Sequence, residues 1–147
     1  MSAVARRYYV RALEELQRGE LDAARADFGA ALELAPRFAE ARVAYATSLA
    51  RAGDAPRAAQ LLRAGLIQET RPRARLLLES ALGEVLIASS DYRGAEEAYR
   101  HATELGRSLG LSTSWQLHDR LARLRAKTGR FAEALDELLA AARARRG

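Results

Sequence analysis

Small and large apolar positions recur along this chain at long intervals that shift together. One small-residue series runs Ala12, Ala46, Gly83 and Ala122, at spacings of 34, 37 and 39. A second runs Ala24, Ala58, Ala95 and Ala134, and a third Ala31, Gly65, Ala102 and Ala141, with the same three intervals. A large apolar series, Phe28, Leu62, Tyr99 and Leu138, keeps the same spacing, as does a turn series, Gly19, Gly53, Ser90 and Gly129. Five columns moving together mark a tandem repeat of one supersecondary unit. Within each unit the pattern predicts helix, tight turn, helix. The eight helices are expected near 3–18, 21–34, 38–52, 55–69, 73–89, 92–108, 114–128 and 131–145.

Packing physics accounts for the columns. Two antiparallel helices approach closely only where the facing side chains are small. The alanine and glycine columns mark that contact, and the large column fills the space beside it. Leu138 and Ala141 are therefore expected to face the preceding helix. The glycine column closes the first helix of each pair, where a left-handed residue is cheap only for glycine. Ser90 departs from this, so the third turn is expected to be looser. Asp54 and Asp91 stand where N-caps of the second helices belong.

These columns resemble the tetratricopeptide repeat. In residues 5–38, Ala12, Gly19, Ala24, Phe28, Ala31 and Pro36 all match that signature. Residues 39–72 match through Ala46, Leu49, Gly53, Ala58 and Leu62, with Gly65 where alanine is usual. The third repeat, 76–109, matches through Leu82, Gly83, Leu86, Tyr92, Ala95, Tyr99 and Ala102. The fourth, 115–147, matches through Leu121, Ala122, Gly129, Phe131, Ala134, Leu138 and Ala141. The resemblance implies one all-α domain over 1–147, a tetratricopeptide-type α-solenoid of about eight antiparallel helices whose pairs stack in a right-handed superhelix. Extra residues fall around Arg73–Arg75 and Gly110–Ser114, between repeats.

Composition sharpens the picture by exclusion. The 147 residues include no cysteine, three prolines and 49% hydrophobic residues, which removes disulfides, thiolate metal sites and cysteine nucleophiles. The net charge is +5, and of 24 basic residues only Lys127 is a lysine. Neither a secretory signal nor an apolar run of the ~20 residues that span a bilayer is present, so a cytoplasmic protein without membrane insertion is expected. The two histidines, His101 and His118, are not at a metal-motif spacing and are read as structural. Gly106 and Gly110 lie four apart without the lysine or strand of a phosphate loop and are read as helix ends. Carboxylates such as Glu15 are expected to pair with arginines one turn away, here Arg11. No catalytic residue, metal or cofactor is expected, and an enzyme is not the reading.

The resemblance also implies a binding surface. In that family the first helices of the repeats line a concave groove for an extended or helical peptide. Residue by residue this places Arg6, Tyr9 and Leu13 from the first repeat, and Val43, Thr47 and Arg51 from the second. The third supplies Leu77 and Glu84, and the fourth Gln116, Arg120, Arg123 and Lys127. An apolar part, Tyr9, Leu13, Val43 and Leu77, and a basic part, Arg120, Arg123 and Lys127, suit a partner protein with apolar and acidic segments. The lysine- and asparagine-rich clamp that grips chaperone tails is absent, since Tyr9, Leu13, Ala44, Leu77 and Ala81 stand in its places.

Two further readings stay open. Arg11 and Glu15 occupy places where the family prefers apolar residues, so the first repeat is expected to act as its own cap. At the other end, Leu135, Leu139 and Ala142 point where a capping helix would sit, with only Arg143, Arg145 and Arg146 beyond. That edge is expected to be covered by a second copy or by another protein, or else shielded by the long arginines. Trp115 is read as a staple for the seventh helix, or as a rim aromatic. A nucleic-acid binder, suggested by RPRAR at 71–75, is disfavoured because aromatics for base stacking are few and scattered.

Overall fold

A computed structural model describes residues 1–111 and 114–146. Among these residues there are eight α-helices and no strand. They are α1 (Ala3–Gln17), α2 (Leu21–Leu34), α3 (Ala39–Arg51), α4 (Ala55–Gln68), α5 (Pro72–Ala88), α6 (Tyr92–Ser108), α7 (Ser114–Lys127) and α8 (Phe131–Arg146). All eight coincide with the expected segments to within one or two residues. Ser112 and Thr113, part of the connection expected between the third and fourth repeats, lie outside the described residues. The extra residues Arg73–Arg75 fall in the first turn of α5, which begins at Pro72. Proline suits that position, because the first amides of a helix have no partner inside it.

The chain divides into two compact units, Met1–Glu69 and Thr70–Gly147. In the first, α1 packs on α2, α3 on α4, and α2 on α3. In the second, α5 packs on α6, α7 on α8, and α6 on α7. Each unit is thus two antiparallel helical hairpins joined through their middle helices.

All four hairpins use one turn. Gly19, Gly53 and Gly129 adopt φ of 75°, 90° and 82°, and Ser90 adopts 60°. The residue after each donates its amide back to a carbonyl five residues earlier: Glu20 to Glu15 at 2.9 Å, Asp54 to Leu49 at 2.9 Å, Asp91 to Leu86 at 2.9 Å and Arg130 to Arg125 at 2.8 Å. This is the hydrogen-bond signature of a helix closed by one left-handed residue. The third turn is therefore as tight as the others, against the expectation from Ser90. The serine simply carries the cost of a left-handed backbone that glycine avoids. The following helices start as expected: Asp54 Oδ1 accepts the Arg57 amide at 3.3 Å, and Asp91 Oδ1 the Gly94 amide at 3.0 Å. Gly110, at φ 66°, also ends a helix, whereas Gly106 sits buried inside α6.

The small columns form the cores. Ala12, Ala24, Ala31, Ala46, Ala58, Ala95 and Ala102 are completely buried. Of the large column, Phe28, Leu62 and Tyr99 are also sealed, each worth about 1.5–3 kcal/mol of burial. The third hairpin shows how the columns depend on each other. A Cβ on Gly83 would lie 2.7 Å from Cε1 and Cζ of the Tyr99 ring. Glycine stands there where the other hairpins carry alanine, because the ring of Tyr99 lies where a methyl group would begin. Burial pushes the Tyr99 phenol up to about 12. In the first unit, Tyr9 stands 4.9 Å from Phe38 and 6.3 Å from Phe28, and Phe28 stacks on Tyr45 at 5.9 Å. Leu138 is the exception. It was expected against the preceding helix but is 46% exposed, because among the described residues no helix lies over α8 as α3 lies over α2.

Charges also enter these cores. Arg11 grips Asp27 with two hydrogen bonds, Nε to Oδ2 and Nη2 to Oδ1, the latter at 2.7 Å. Its expected partner Glu15 lies farther off at 3.7 Å. Asp27 and Glu15 are both buried. Burial raises the Glu15 carboxyl above its ordinary range, and the neighbouring Asp27 carboxylate adds to this. The hydrogen bonds from Arg11 hold Asp27 below its ordinary range. In the second unit Arg125 contacts Glu96 at 3.1 Å and Glu137 at 2.7 Å, and Arg130 bridges Glu96 and Glu133. His118, buried, holds Glu137 at 2.7 Å. This network ties α6, α7 and α8 together and accounts for His118 as a structural residue.

Three measurements test this packing. Gly83→Ala is expected to lower unfolding stability in urea by about 1–3 kcal/mol, and adding Tyr99→Leu to recover part of the loss. Ser90→Gly is expected to add about 1 kcal/mol. Glu15 takes up its proton more readily folded than unfolded, so its contribution favours the folded state as pH falls through its raised pKa and is lost as pH rises. Asp27 acts oppositely, stabilising above the unfolded carboxylate range and losing that contribution in stronger acid. Glu15→Gln is therefore expected to raise the melting temperature at neutral pH, with an advantage that shrinks on acidification towards the carboxylate range.

Candidate partner-binding surfaces

The first helix of each hairpin presents one row of the expected surface. In the first unit, Tyr9 and Leu13 on α1 and Val43 and Thr47 on α3 are half-buried, and Arg6, Glu40 and Arg51 are exposed around them. Residues three and four apart share a helix face, and α1 and α3 touch each other. The result is a shallow apolar strip with charged ends. Tyr9 does more than line it. Its ring packs among Phe28, Phe38 and the alanines of α1 and α3, and burial followed by the Glu40 charge raises its phenol above the ordinary value. Leu13 likewise packs on the Ala12, Ala24 and Phe28 cluster.

In the second unit, Leu77 on α5 is 36% exposed, and Glu84 and Gln116 are exposed. The basic residues there have partners within the chain. Arg120 on α7 pairs with Glu84 on α5 at 3.0 Å. Arg123 pairs with Asp119 one turn back at 2.9 Å while remaining 79% exposed in its side chain. Lys127 lies 4.9 Å from the centre of the Tyr92 ring, whose phenol is lowered by hydrogen bonds from that lysine and from Ser90. The basic part of this face is thus a set of charges already engaged, with Arg123 the most accessible.

Two features were not foreseen from the sequence. A cleft of about 430 Å³ between α5 and α6 is lined by Arg75, Glu79, His101, Glu104, Leu105 and Ser108. His101 Nδ1 lies 3.4 Å from the buried Glu79, whose carboxyl is raised by burial. Among the described residues no group of three histidines or carboxylates could hold a metal ion. The ion-pair network across α6, α7 and α8 was equally hidden, because most of its hydrogen bonds link residues 12 to 34 apart in sequence. Trp115, half-buried, has the Arg145 guanidinium 5.0 Å from its ring, a contact that fastens the start of α7 to the end of α8. On α8, Leu135 and Leu139 are 58% and 51% exposed and Ala142 is half-buried. No described helix is long and apolar enough to cross a membrane.

Solved structures with this fold come from several settings. MamA from Desulfovibrio magneticus RS-1 superposes with a TM-score of 0.76 at 16% identity, over 97% of this chain and 76% of that one. PilF from Pseudomonas aeruginosa gives 0.76 at 20% identity, over 97% of this chain and 62% of that one. The Yersinia enterocolitica type III secretion chaperone SycD, solved with a peptide of the translocator YopD, gives 0.67 at 18% identity, over 87% and 97%. At these identities the likeness establishes the fold, a tetratricopeptide-type helical solenoid. No curated protein sequence matches the chain. The family profile described as tetratricopeptide repeat matches residues 9–75 and 80–147. With nearly the whole length covered by that profile and four hairpins closed by one turn, the chain belongs to the tetratricopeptide repeat family.

Proposed function

We propose that this chain is a protein-interaction module, an adaptor or assembly factor that holds a segment of a partner protein against the first helices of its hairpins. The observation that carries the reading is the strip on α1 and α3: half-buried Tyr9, Leu13 and Val43 with Thr47 beside them, bordered by Arg6, Glu40 and Arg51. A partially exposed apolar row with a charged rim is how a surface takes an apolar segment in a fixed register. That SycD was solved with a peptide of YopD supports peptide capture as a use of this fold. In the second unit an acidic group of the partner would compete with Glu84 and Asp119 for Arg120 and Arg123, the latter better placed by its exposure. Binding rather than catalysis is the reading, since a catalytic site needs convergent groups with a nucleophile or base in reach of an orienting partner, and the charged clusters described above are tied into ion pairs between helices.

Position-specific photo-crosslinking tests this. The partner is first recovered from cells with the tagged chain. A photoreactive residue at Thr47 or Gln116 is then expected to trap it. The same residue at Gln60 on α4 or Arg100 on α6, both exposed, is expected to trap nothing. Thr47→Arg should weaken capture about tenfold, equivalent to about 1.4 kcal/mol, with the melting temperature unchanged. Crosslinking at Gln60 and Arg100 instead of Thr47 and Gln116 would overturn the assignment.

A further inference from the structure

α8 carries an exposed face whose charges complement a second copy of itself. Phe131 is 70% exposed, Leu135 58% and Leu139 51%. At 3.6 residues per turn these leucines share a face, opposite Ala134 and Ala141, which are buried against the rest of the unit. Asp136 and Arg143 lie along one flank of that face, two turns apart. Both are exposed. Arg143 donates to the Leu139 carbonyl of its own helix at 3.3 Å, and neither side chain forms an ion pair among the described residues.

We propose that the chain forms an antiparallel twofold dimer through α8, with the axis passing near Leu139. A twofold axis perpendicular to the two helix axes keeps each flank on its own side and reverses the helix direction. Asp136 of one copy then meets Arg143 of the other, and the reciprocal pair forms across the axis. Leu135 and Leu139 of both copies fill the centre. Phe131 at the start of one helix comes beside Arg146 at the end of the other, where a guanidinium can lie over the ring. Antiparallel helix dipoles favour the same arrangement. The alternative of extending the repeat array head to tail fares worse. An α1 laid antiparallel on α8 would set Arg6 and Arg7 against Arg143 and Arg145, like charge against like. The proposed contact is small. A helix of 16 residues is about 24 Å long and ~10 Å wide, short of the ~800 Å² per partner of a standard interface. The dimer is therefore weak and dependent on concentration. This inference is independent of the surface on the first helices.

Sedimentation equilibrium from about 5 to about 500 μM is the test. Wild type should pass from monomer to dimer across that range. Leu139→Glu should remain monomeric, with helix content and melting temperature unchanged because the side chain is half outside already. Asp136→Arg should weaken the dimer at least tenfold, and adding Arg143→Asp should restore it. Since the chain has no cysteine, Leu139→Cys should crosslink to its mate on mild oxidation, and Gln60→Cys should not. A monomer at 500 μM would overturn the proposal and leave the face to a different protein. A dimer indifferent to Leu139→Glu, a double charge reversal that fails to restore association, or oligomers that keep growing with concentration would overturn it equally.

Discussion

Gly83 has no side chain, and the ring of Tyr99 lies where one would begin. That contact shows the constraint on every hairpin here. Helix axes can come together only if one side of the contact is nearly absent, and the space beside it must then be filled by something large. Ala12 with Phe28 and Ala46 with Leu62 meet the constraint with a methyl group and a buried ring or branched chain. The third hairpin meets it with less on one side and more on the other. The division of the filling between the two helices thus varies from hairpin to hairpin, within interiors packed to crystal-like density.

The identical turns follow from that closeness. Two helices held so near leave room for a connection of only three residues, and a single left-handed residue reverses the chain in that space. Glycine does so at Gly19, Gly53 and Gly129, and Ser90 is held in the same conformation by the hairpin around it. Tertiary packing here overrides local preference. The same closeness decides which polar groups are buried. Arg11, Asp27 and Glu15 lie where the first two helices meet, so the carboxylates lose water and their protonation becomes coupled to folding.

How much of this was legible in the sequence depends on the kind of contact. Columns of small residues that shift together report helix pairing directly, so the eight helices, the places of the turns and the capping aspartates could be read without coordinates, while the tightness of the turn at Ser90 could not. Leu138 could not, because its column records a place in the repeat and not whether anything covers it. Contacts that depend on side-chain reach were also hidden. Arg11 had two carboxylates to choose from, and Asp27 across the hairpin offers a fork that Glu15 on the same helix does not. Tyr9 was visible as a surface candidate, yet its packing on Phe28 and Phe38 required knowing how α1, α2 and α3 converge. The basic row Arg120, Arg123 and Lys127 was legible as sequence, but the partners Glu84 and Tyr92, on other helices, emerge only from how the helices pack.

Each unit adds a different set of contacts to its apolar core. In the first, Tyr9, Phe28, Phe38 and Tyr45 gather into an aromatic group. In the second, Arg125, Arg130, Glu96, Glu133, Glu137 and His118 form a partly solvated ionic lattice. Added electrolyte screens the lattice and leaves the rings untouched. Warming weakens the hydration that competes with the ion pairs, while cooling weakens apolar association. The halves therefore differ in their answer to electrolyte, which loosens the second more than the first, whereas cold weakens the contacts of both.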